Sequence, residues 1–477
     1  MKFSCRSVIT LLALPFAMSL PVLAEFEVDK IGDSLVDAGA LTIRGGFGQC
    51  INGLSFQQDA VVTHDGYQYV GYYDGNRRVC LARRKLPGGD WNIIRFKDYD
   101  FKSNDAHNII SIGICPKDAT IHVAFDHHGH PLHYRVSRKG AAGDSGDPWE
   151  ASLFGPVTSE LEKGRPIRIT YPRFFQTPDG SLQFCYRQGG SGNGDRMLVD
   201  YDAKTGKWTD TRQIDSRKGL FKDAMGESRS RCSYPNGYGY GPDGKLHATW
   251  VWRESSQGSN HDLIYAYSED RGRTWLNNAG RLLSEPAGVN SPGITVANIS
   301  RLHGLMNTHG QAVDLQGRVH VVMWHCTDET LRAAGSKPGE HRWGPPKARR
   351  YHHYWRDRVG HWSHQQTPWQ AGSRPKIFMD SSDNAFMIFG TSRRDARLAD
   401  GHLHSEGTLV IAAATSGSKW QDWKIVHRER GPFVNEMLGD VYRWKKQGVL
   451  SIMVQETPEK PHQPTPLRIL DFSFSKR

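Results

Sequence analysis

Residues 242–253 read PDGKLHATWVWR. A Pro-Asp-Gly turn opens the stretch, and the residues after it alternate apolar and polar, as a strand with one packed face requires. With the strand that leads into the turn, it reads as a hairpin. The unit recurs along the chain. HDG at 64–66 leads into YQYVGYY, PKDA at 116–119 into TIHVAFDHH, PDG at 178–180 into SLQFCYR, LQG at 315–317 into RVHVVMWHC, SSDN at 381–384 into AFMIFGT, and KKQG at 445–448 into VLSIMVQ. Seven copies at a spacing of roughly 50–75 residues are too far apart for a solenoid and suit the blades of a propeller. Further strands follow several hairpins, HDLIYAYSED after the fourth copy and RRYHHYWRD after the fifth, and no long helical periodicity interrupts them. The expectation is an all-β chain folded as a seven-bladed β-propeller of four-stranded antiparallel blades. Its alternative is a six-bladed ring with an additional hairpin.

One turn sharpens this reading. YSEDRGRTW at 267–275 carries Ser268, Asp270, Gly272, Thr274 and Trp275, the S-x-D-x-G-x-T-W pattern of an Asp box on the outer hairpin of sialidase-like propeller blades. Its expected role is structural: the Asp side chain bonds the turn backbone and the Trp packs between strands.

The 477 residues hold 61 Lys and Arg against 50 Asp and Glu, a formal net charge of +11, with a mean hydropathy of −0.59. Residues 1–24, MKFSCRSVITLLALPFAMSLPVLA, join Lys2 and Arg6 to an apolar run and small residues before Ala24, the pattern of a secretory signal. The run is too short, and too broken by Pro15 and Pro21, to span a bilayer, and no later segment is long enough. Residues 25–477 are therefore expected to form one exported domain, extracellular or periplasmic and monomeric, with neither a nucleic acid nor a membrane as partner. For an exported protein the basic excess points to a polyanion such as a sulfated or uronate-bearing polysaccharide. Cys50, Cys80, Cys115, Cys185, Cys232 and Cys326 are scattered and form no CxxC pair. They read as small buried residues rather than a disulfide framework, with one or two available for pairing or a metal.

In a propeller the start of a blade's first strand and the end of its second reach the same face. The second copy brings Asn104, His107 and His127 or His128 to that face, the last two from FDHHGHPLHYR at 125–135. The third brings Tyr171, Arg173, Arg187 and Gln188; the fourth, Arg231, Tyr234, Tyr238 and Arg253; the fifth, Asn307, His309, His325 and Cys326. Such a cleft suits an anionic sugar, because aromatics stack on the ring and Arg holds carboxylate or sulfate in a bidentate fork. Asn104, Gln188, Tyr234, Tyr238 and Arg253 are the expected substrate-binding residues.

Two chemistries compete. Glycoside hydrolysis asks for two carboxylates across the scissile bond, and the nearest here are only Asp126, Glu227 and Glu254. β-Elimination from a uronic acid asks for a base to take the proton beside the carboxylate, a cation to neutralise that carboxylate, and an acid for the departing oxygen. His, Tyr and Arg supply all three.

The blocks NDAHNII…FDHHGHPLHYR, ITYPRFF…FCYRQGG and YHHYWRD resemble the BNR-repeat propeller lyases that cleave ulvan, in particular polysaccharide lyase family 25, across nearly the whole chain after residue 24. The resemblance implies catalytic positions at His107, His127, Tyr171 and Arg187. It implies Tyr171 as general acid, and as base too when proton and leaving group share a ring face. A histidine, His107 before His127, would be the base for the opposite epimer, with Arg187 and His127 neutralising the carboxylate. The implied substrate is ulvan, a sulfated algal polymer of rhamnose 3-sulfate with glucuronic or iduronic acid, cleaved to unsaturated uronate-ended oligosaccharides. Strand parity sets one condition: aligned hairpins put Arg187 opposite Asp126, so a bulge is needed for Arg187 and His127 both to face the cleft.

The fifth copy also concentrates metal-ligand types. Cys326 with three of His309, His325, His341, His352 and His353 makes a closed zinc site of one Cys and three His. The resembled family carries a structural zinc with such ligands, and the expected set is His309, Cys326, His341 and His353. Two further functional readings stay open: a sialidase-like glycoside hydrolase, and a non-catalytic propeller that binds polyanionic glycans.

Overall fold

A computed structural model describes residue 1 and residues 26–45, 48–53, 59–144, 146–255, 258–284, 286–391 and 406–476. The body of the expected signal segment 1–24 lies outside the described residues. The all-β expectation is met. Six main antiparallel sheets follow one another along the chain. The first comprises Val61–His64, Tyr67–Tyr73, Arg78–Lys85 and Asn92–Asp100. The second comprises Ile110–Cys115, Thr120–Phe125 and Tyr134–Val136. The third comprises Arg168–Gln176, Leu182–Gly190, Asn193–Asp202 and Lys207–Gln213, with the short His128–Pro131 on its first edge. The fourth comprises Arg231–Tyr240, Leu246–Glu254, Asn260–Ser268 and Thr295–Ala297, and the fifth Gly310–Val313, Val319–His325, Arg350–Arg356 and Trp362–Gln370. The last has seven strands: Lys376–Met379, Ala385–Gly390, Glu406–Ala414, Lys424–Gly439, Leu450–Glu456, Thr465–Lys476 and Phe26–Ala40. The strand count per sheet is thus not uniformly four, because His128–Pro131 crosses to its neighbour and Lys424–Gly439 is long enough to pair on both sides.

The turns identified in the sequence join paired strands in every copy. The seventh differs in form. Residues Val441–Gln447 are a helical turn, capped at its start by Asp440, whose carboxylate accepts from the N–H groups of Tyr442 and Arg443, and ended by Gly448 in the left-handed region. The Asp box is formed as expected. Asp270 accepts from the backbone N–H of Arg273 and Thr274 and from the Thr274 hydroxyl, at 3.0, 2.8 and 2.7 Å.

Neighbouring sheets pack face to face through fully buried side chains, among them Trp250, Trp252 and Trp324. Each such burial contributes roughly 1.5–3 kcal/mol. Close approach depends on small residues: a Cβ on Gly113 of the second sheet would lie 2.4 Å from Cβ of Phe174 in the third. Segments of every main sheet but the second, including Val61, Phe175, Tyr238, Gln311 and Ile377, line one cavity of about 200 Å³, with Tyr442 of the helical turn. Phe26–Ala40 pairs with Thr465–Lys476 from Phe26↔Lys476 to Ala40↔Thr465, tying the beginning of the described chain to its end. Cys80, Cys115, Cys185, Cys232 and Cys326 are buried free thiols. Among the described residues no helix is long and apolar enough to cross a membrane.

Candidate active site

The ends of the second, third and fourth sheets bring a polar cluster together. His107 lies in the loop before Ile110–Cys115, and Asp105 precedes it by two residues. The Asp105 carboxylate accepts a hydrogen bond from Nδ1 of His107 on one oxygen and from Nδ1 of His128, at 2.6 Å, on the other. The two imidazoles stack with centroids 4.2 Å apart. With Nδ1 donating to Asp105, the neutral imidazole of His107 keeps its lone pair on Nε2. The Tyr171 ring lies 6.1 Å from His107 and 6.2 Å from His128. The guanidinium of Arg187 sits over two rings, 4.9 Å from Tyr171 and 5.5 Å from Tyr234. Arg253 extends the cluster: its Nη1 donates to the Tyr234 hydroxyl at 3.0 Å, and its guanidinium lies 5.2 Å from the Trp343 ring.

Backbone irregularity builds this geometry. Tyr171 has φ 56° and Asp126 has φ 62°, in the left-handed region that non-glycine residues rarely enter. Strain of this kind gathers at functional sites. In the third sheet the register shifts between Thr170 and Arg173, so Tyr171 is swung out of the pleat toward the cluster. His128 and Arg187 both pair with Thr170 and therefore share a row across three strands. Gly192 lets the following turn close down, since a Cβ there would lie 2.0 Å from the Ser255 carbonyl carbon. That closure holds the Ser191 hydroxyl 3.2 Å from that of Tyr234.

The expected residues sort as follows. His107, Tyr171 and Arg187 come together, with Tyr234 and Arg253 beside them. His127 does not join them, which corrects the expectation. The left-handed turn at Asp126 reverses the alternation after Phe125 and sends His127 into the core. There it is fully buried, and its Nε2 accepts from the His133 N–H at 2.8 Å. His128 takes the place facing Tyr171. The bulge needed to bring His127 to the side of Arg187 is not what the structure shows: alternation from Asp126 puts His128 on that side, and His128 shares the Thr170 row with Arg187. Tyr238 is also elsewhere. A register shift between Pro235 and Gly237 turns it away from Tyr234, toward Arg196 at 2.7 Å and the Phe175 ring at 5.2 Å. Asn104 is exposed on the His107 loop, where Arg77 donates to its side-chain oxygen at 2.5 Å. Gln188 is exposed at the strand end beyond Arg187. Sequence reading missed Asp105, Ser191 and Trp343. Of these only Asp105 left a signal, as an acid two residues before a histidine.

Electrostatics set the protonation states. Burial pushes His107 down to about 4, against the raising effect of Asp105, so its imidazole is neutral near neutral pH. Burial alone would raise the Asp105 carboxyl, but the hydrogen bonds from His107 and His128 outweigh it and hold the group well below the usual carboxylate range. Burial, reinforced by Tyr234, holds the Tyr171 phenol well above its ordinary value despite Arg187 and Arg253, so it stays protonated. The site therefore offers a neutral base, a neutral acid and fixed cations.

The three carboxylates that the sequence offers for hydrolysis are each already engaged. Glu254 is buried and bound by Arg231 at 2.7 Å and by His261 at 3.1 Å. Asp126 is engaged by Tyr99 and Asn108. Glu227 is exposed in a pair with Lys222.

The expected zinc ligands do not fit one ion. His309 accepts from the Trp324 N–H at 3.2 Å, His353 faces His320 and Trp423, and His341 is exposed. Among the described residues, two donor groups converge closely enough for a metal, and neither includes His309, Cys326, His341 or His353.

The chain belongs to the BNR repeat-containing family, whose model matches residues 67–369. Within that class it is similar to the long isoform of ulvan lyase from Alteromonas sp. (strain LOR), 27% identical over 294 residues that make up 51% of this chain and 28% of that protein. It is 25% identical over 298 residues to the short isoform from the same strain, covering 51% of this chain and 54% of that protein. The match thus spans about half, or less, of the length of these relatives. Two solved structures share the fold: polysaccharide lyase Uly1, with TM-score 0.70 at 19% identity over 93% of this chain and 99% of that one, and a PL25 ulvan lyase bound to GlcA(1-4)Rha3S, with TM-score 0.63 at 13% identity over 91% and 95%.

Proposed function

We propose that this chain is an exported polysaccharide lyase that cleaves ulvan by β-elimination, at the bond between rhamnose 3-sulfate and a uronic acid. The observation that carries the reading is the pair of imidazoles on Asp105, facing a protonated Tyr171 with Arg187 over its ring. In the proposed reaction Arg187, with Arg253 behind it, neutralises the uronate carboxylate, which makes the adjacent carbon acidic. His107, whose imidazole is neutral, accepts that proton on Nε2. The electron pair of the broken C–H bond forms the new double bond, the bond to the glycosidic oxygen breaks, and Tyr171 gives that oxygen its proton. His128 shares Asp105 with His107 and takes the role assigned to His127 by resemblance. Tyr234, Arg253, Asn104 and Gln188 contact the polymer.

Divided within Lys424–Gly439, the last sheet supplies two blades, the second completed by Phe26–Ala40, and the ring then has seven. The relatives named as ulvan lyases support the substrate, and the net charge of +11 supports a polyanion.

The test is a panel of ulvan, alginate and glycosaminoglycans read by ultraviolet absorbance of the unsaturated product and, in parallel, by reducing ends. Ulvan alone, or foremost, should yield both signals. Reducing ends without absorbance would make the protein a hydrolase, and neither signal would make it a binding module.

A further inference from the structure

Outside the cleft, polar side chains also gather at the cavity of about 200 Å³ between the sheets. We propose that this cavity binds one small oxyanion of the sulfate class, held by Arg173, Asn236, His309 and Lys376. Arg173 comes from Arg168–Gln176 and Asn236 from Arg231–Tyr240, while His309 precedes Gly310–Val313 and Lys376 opens Lys376–Met379. All four line the cavity. Three of them meet at the His309 backbone. The Asn236 side-chain oxygen accepts from the His309 N–H at 3.4 Å, and Lys376 Nζ donates to the His309 carbonyl at 2.8 Å. Glycines permit this approach: a Cβ on Gly237 would lie 2.7 Å from Cβ of Gln311, and one on Gly310 would lie 2.9 Å from Cα of Lys376.

What these groups lack is an acceptor. His309 Nε2 accepts from the Trp324 N–H at 3.2 Å, so the ring proton sits on Nδ1. The Asn236 oxygen serves the His309 N–H, so the other end of that amide is a pair of donors. Asn236 is 3% exposed and His309 0%. Among the described residues, neither Asn236 Nδ2 nor His309 Nδ1 has a hydrogen-bond partner. Buried donors without acceptors are costly, and folded proteins leave few of them. The charges agree. Asp59 brings a carboxylate to the cavity, but Arg173 binds it through Nε and Nη2 at 3.1 and 2.9 Å, with Nη1 outside that pair. Arg374 is likewise paired with Glu436, at 2.7 Å. Lys376 donates instead to a backbone carbonyl, which cancels no charge. A water molecule offers two lone pairs, whereas a tetrahedral oxyanion presents acceptors in every direction and makes the stronger, charge-assisted bonds.

Position gives the ion its role. Arg173 and Asn236 each lie two residues beyond a tyrosine of the cleft, Tyr171 and Tyr234, on the same strand. An ion that both strands share with His309 and Lys376 braces the sheets that present those tyrosines. The folded chain assembles this set of donors and the unfolded chain does not, so binding stabilises the fold. The same geometry explains why His309 fails as a metal ligand: its lone pair is spent on a backbone N–H, and the ring can donate but not ligate.

The experiment uses the full chain, desalted into a chloride buffer and titrated with sodium sulfate alone by calorimetry, with thermal melts at matched ionic strength. One sulfate per chain and a raised Tm are expected. Asn236→Asp keeps the size and the acceptor of Asn236 and replaces its donor by a carboxylate oxygen. It should weaken binding at least about tenfold while circular dichroism stays unchanged, and Lys376→Met should do the same. Exclusion of sulfate from the surface raises the Tm of every variant alike, so the bound ion accounts for the part of the rise that Asn236→Asp loses. Arg253→Ala should keep the site, which separates it from sulfate held by the arginines of the cleft. No calorimetric binding, parental binding by folded Asn236→Asp and Lys376→Met, or loss of binding in Arg253→Ala would each overturn the site.

Discussion

At the scale of single residues, the histidine-rich stretch from His127 to His133 decides the site. Alternation along a strand allows only one of His127 and His128 to face the cleft, and that much was legible in the sequence. Which one depends on the backbone at Asp126, where φ is 62°, a property that no residue pattern announces for an aspartate. The two positions should therefore separate by experiment. His128→Ala is expected to lower kcat on ulvan by about 10²–10⁴-fold with an unchanged thermal melt. His127→Ala should cost roughly 2–3 kcal/mol of stability, from a lost core hydrogen bond and a cavity, with the activity of the folded fraction near that of the parent. A reversed pattern would restore His127 to the mechanism. Asp105 was harder to foresee, because its importance lies in accepting from two rings that are 21 positions apart in the chain.

At the scale of elements, hairpins were the most legible feature. Their turns carry Asp and Gly for local reasons, and their strands alternate because one face is packed. KKQG at 445–448 was read as a turn and is the end of a helical turn, since Asp440 caps a segment too short to show helical periodicity. Tyr238 was lost for a similar reason, a bulge that changed face between two tyrosines four residues apart. The Asp box is local and was read in full. Asp270→Ala removes acceptors for two backbone N–H groups and two hydroxyls. We expect it to lower stability by about 2 kcal/mol, measured as a fall in the urea midpoint, with kcat on ulvan unchanged. A change in kcat with no change in midpoint would refute a purely structural role.

At the scale of the whole molecule, many histidines are buried neutral, which ties stability to pH. Burial pushes His107 and His247 down to about 4 and His122 down to about 3, and it holds His127 and His309 well below 6.5. Below 6.5 the unfolded chain takes up protons at these positions while the folded chain does not. Their stabilising effect is therefore complete above 6.5 and is lost as pH falls from there toward 4, at up to about 1.4 kcal/mol per pH unit for each group. The urea midpoint should be flat near neutrality and drop steeply across that window; a flat profile would contradict the buried neutral histidines. The central claim, elimination with Tyr171 as the acid, is tested most directly by the ultraviolet absorbance of ulvan incubated with the parent chain and with Tyr171→Phe. The account predicts a rising signal of unsaturated uronate from the parent and its loss in Tyr171→Phe, with equal folded content. Unchanged release of unsaturated product by Tyr171→Phe would contradict it.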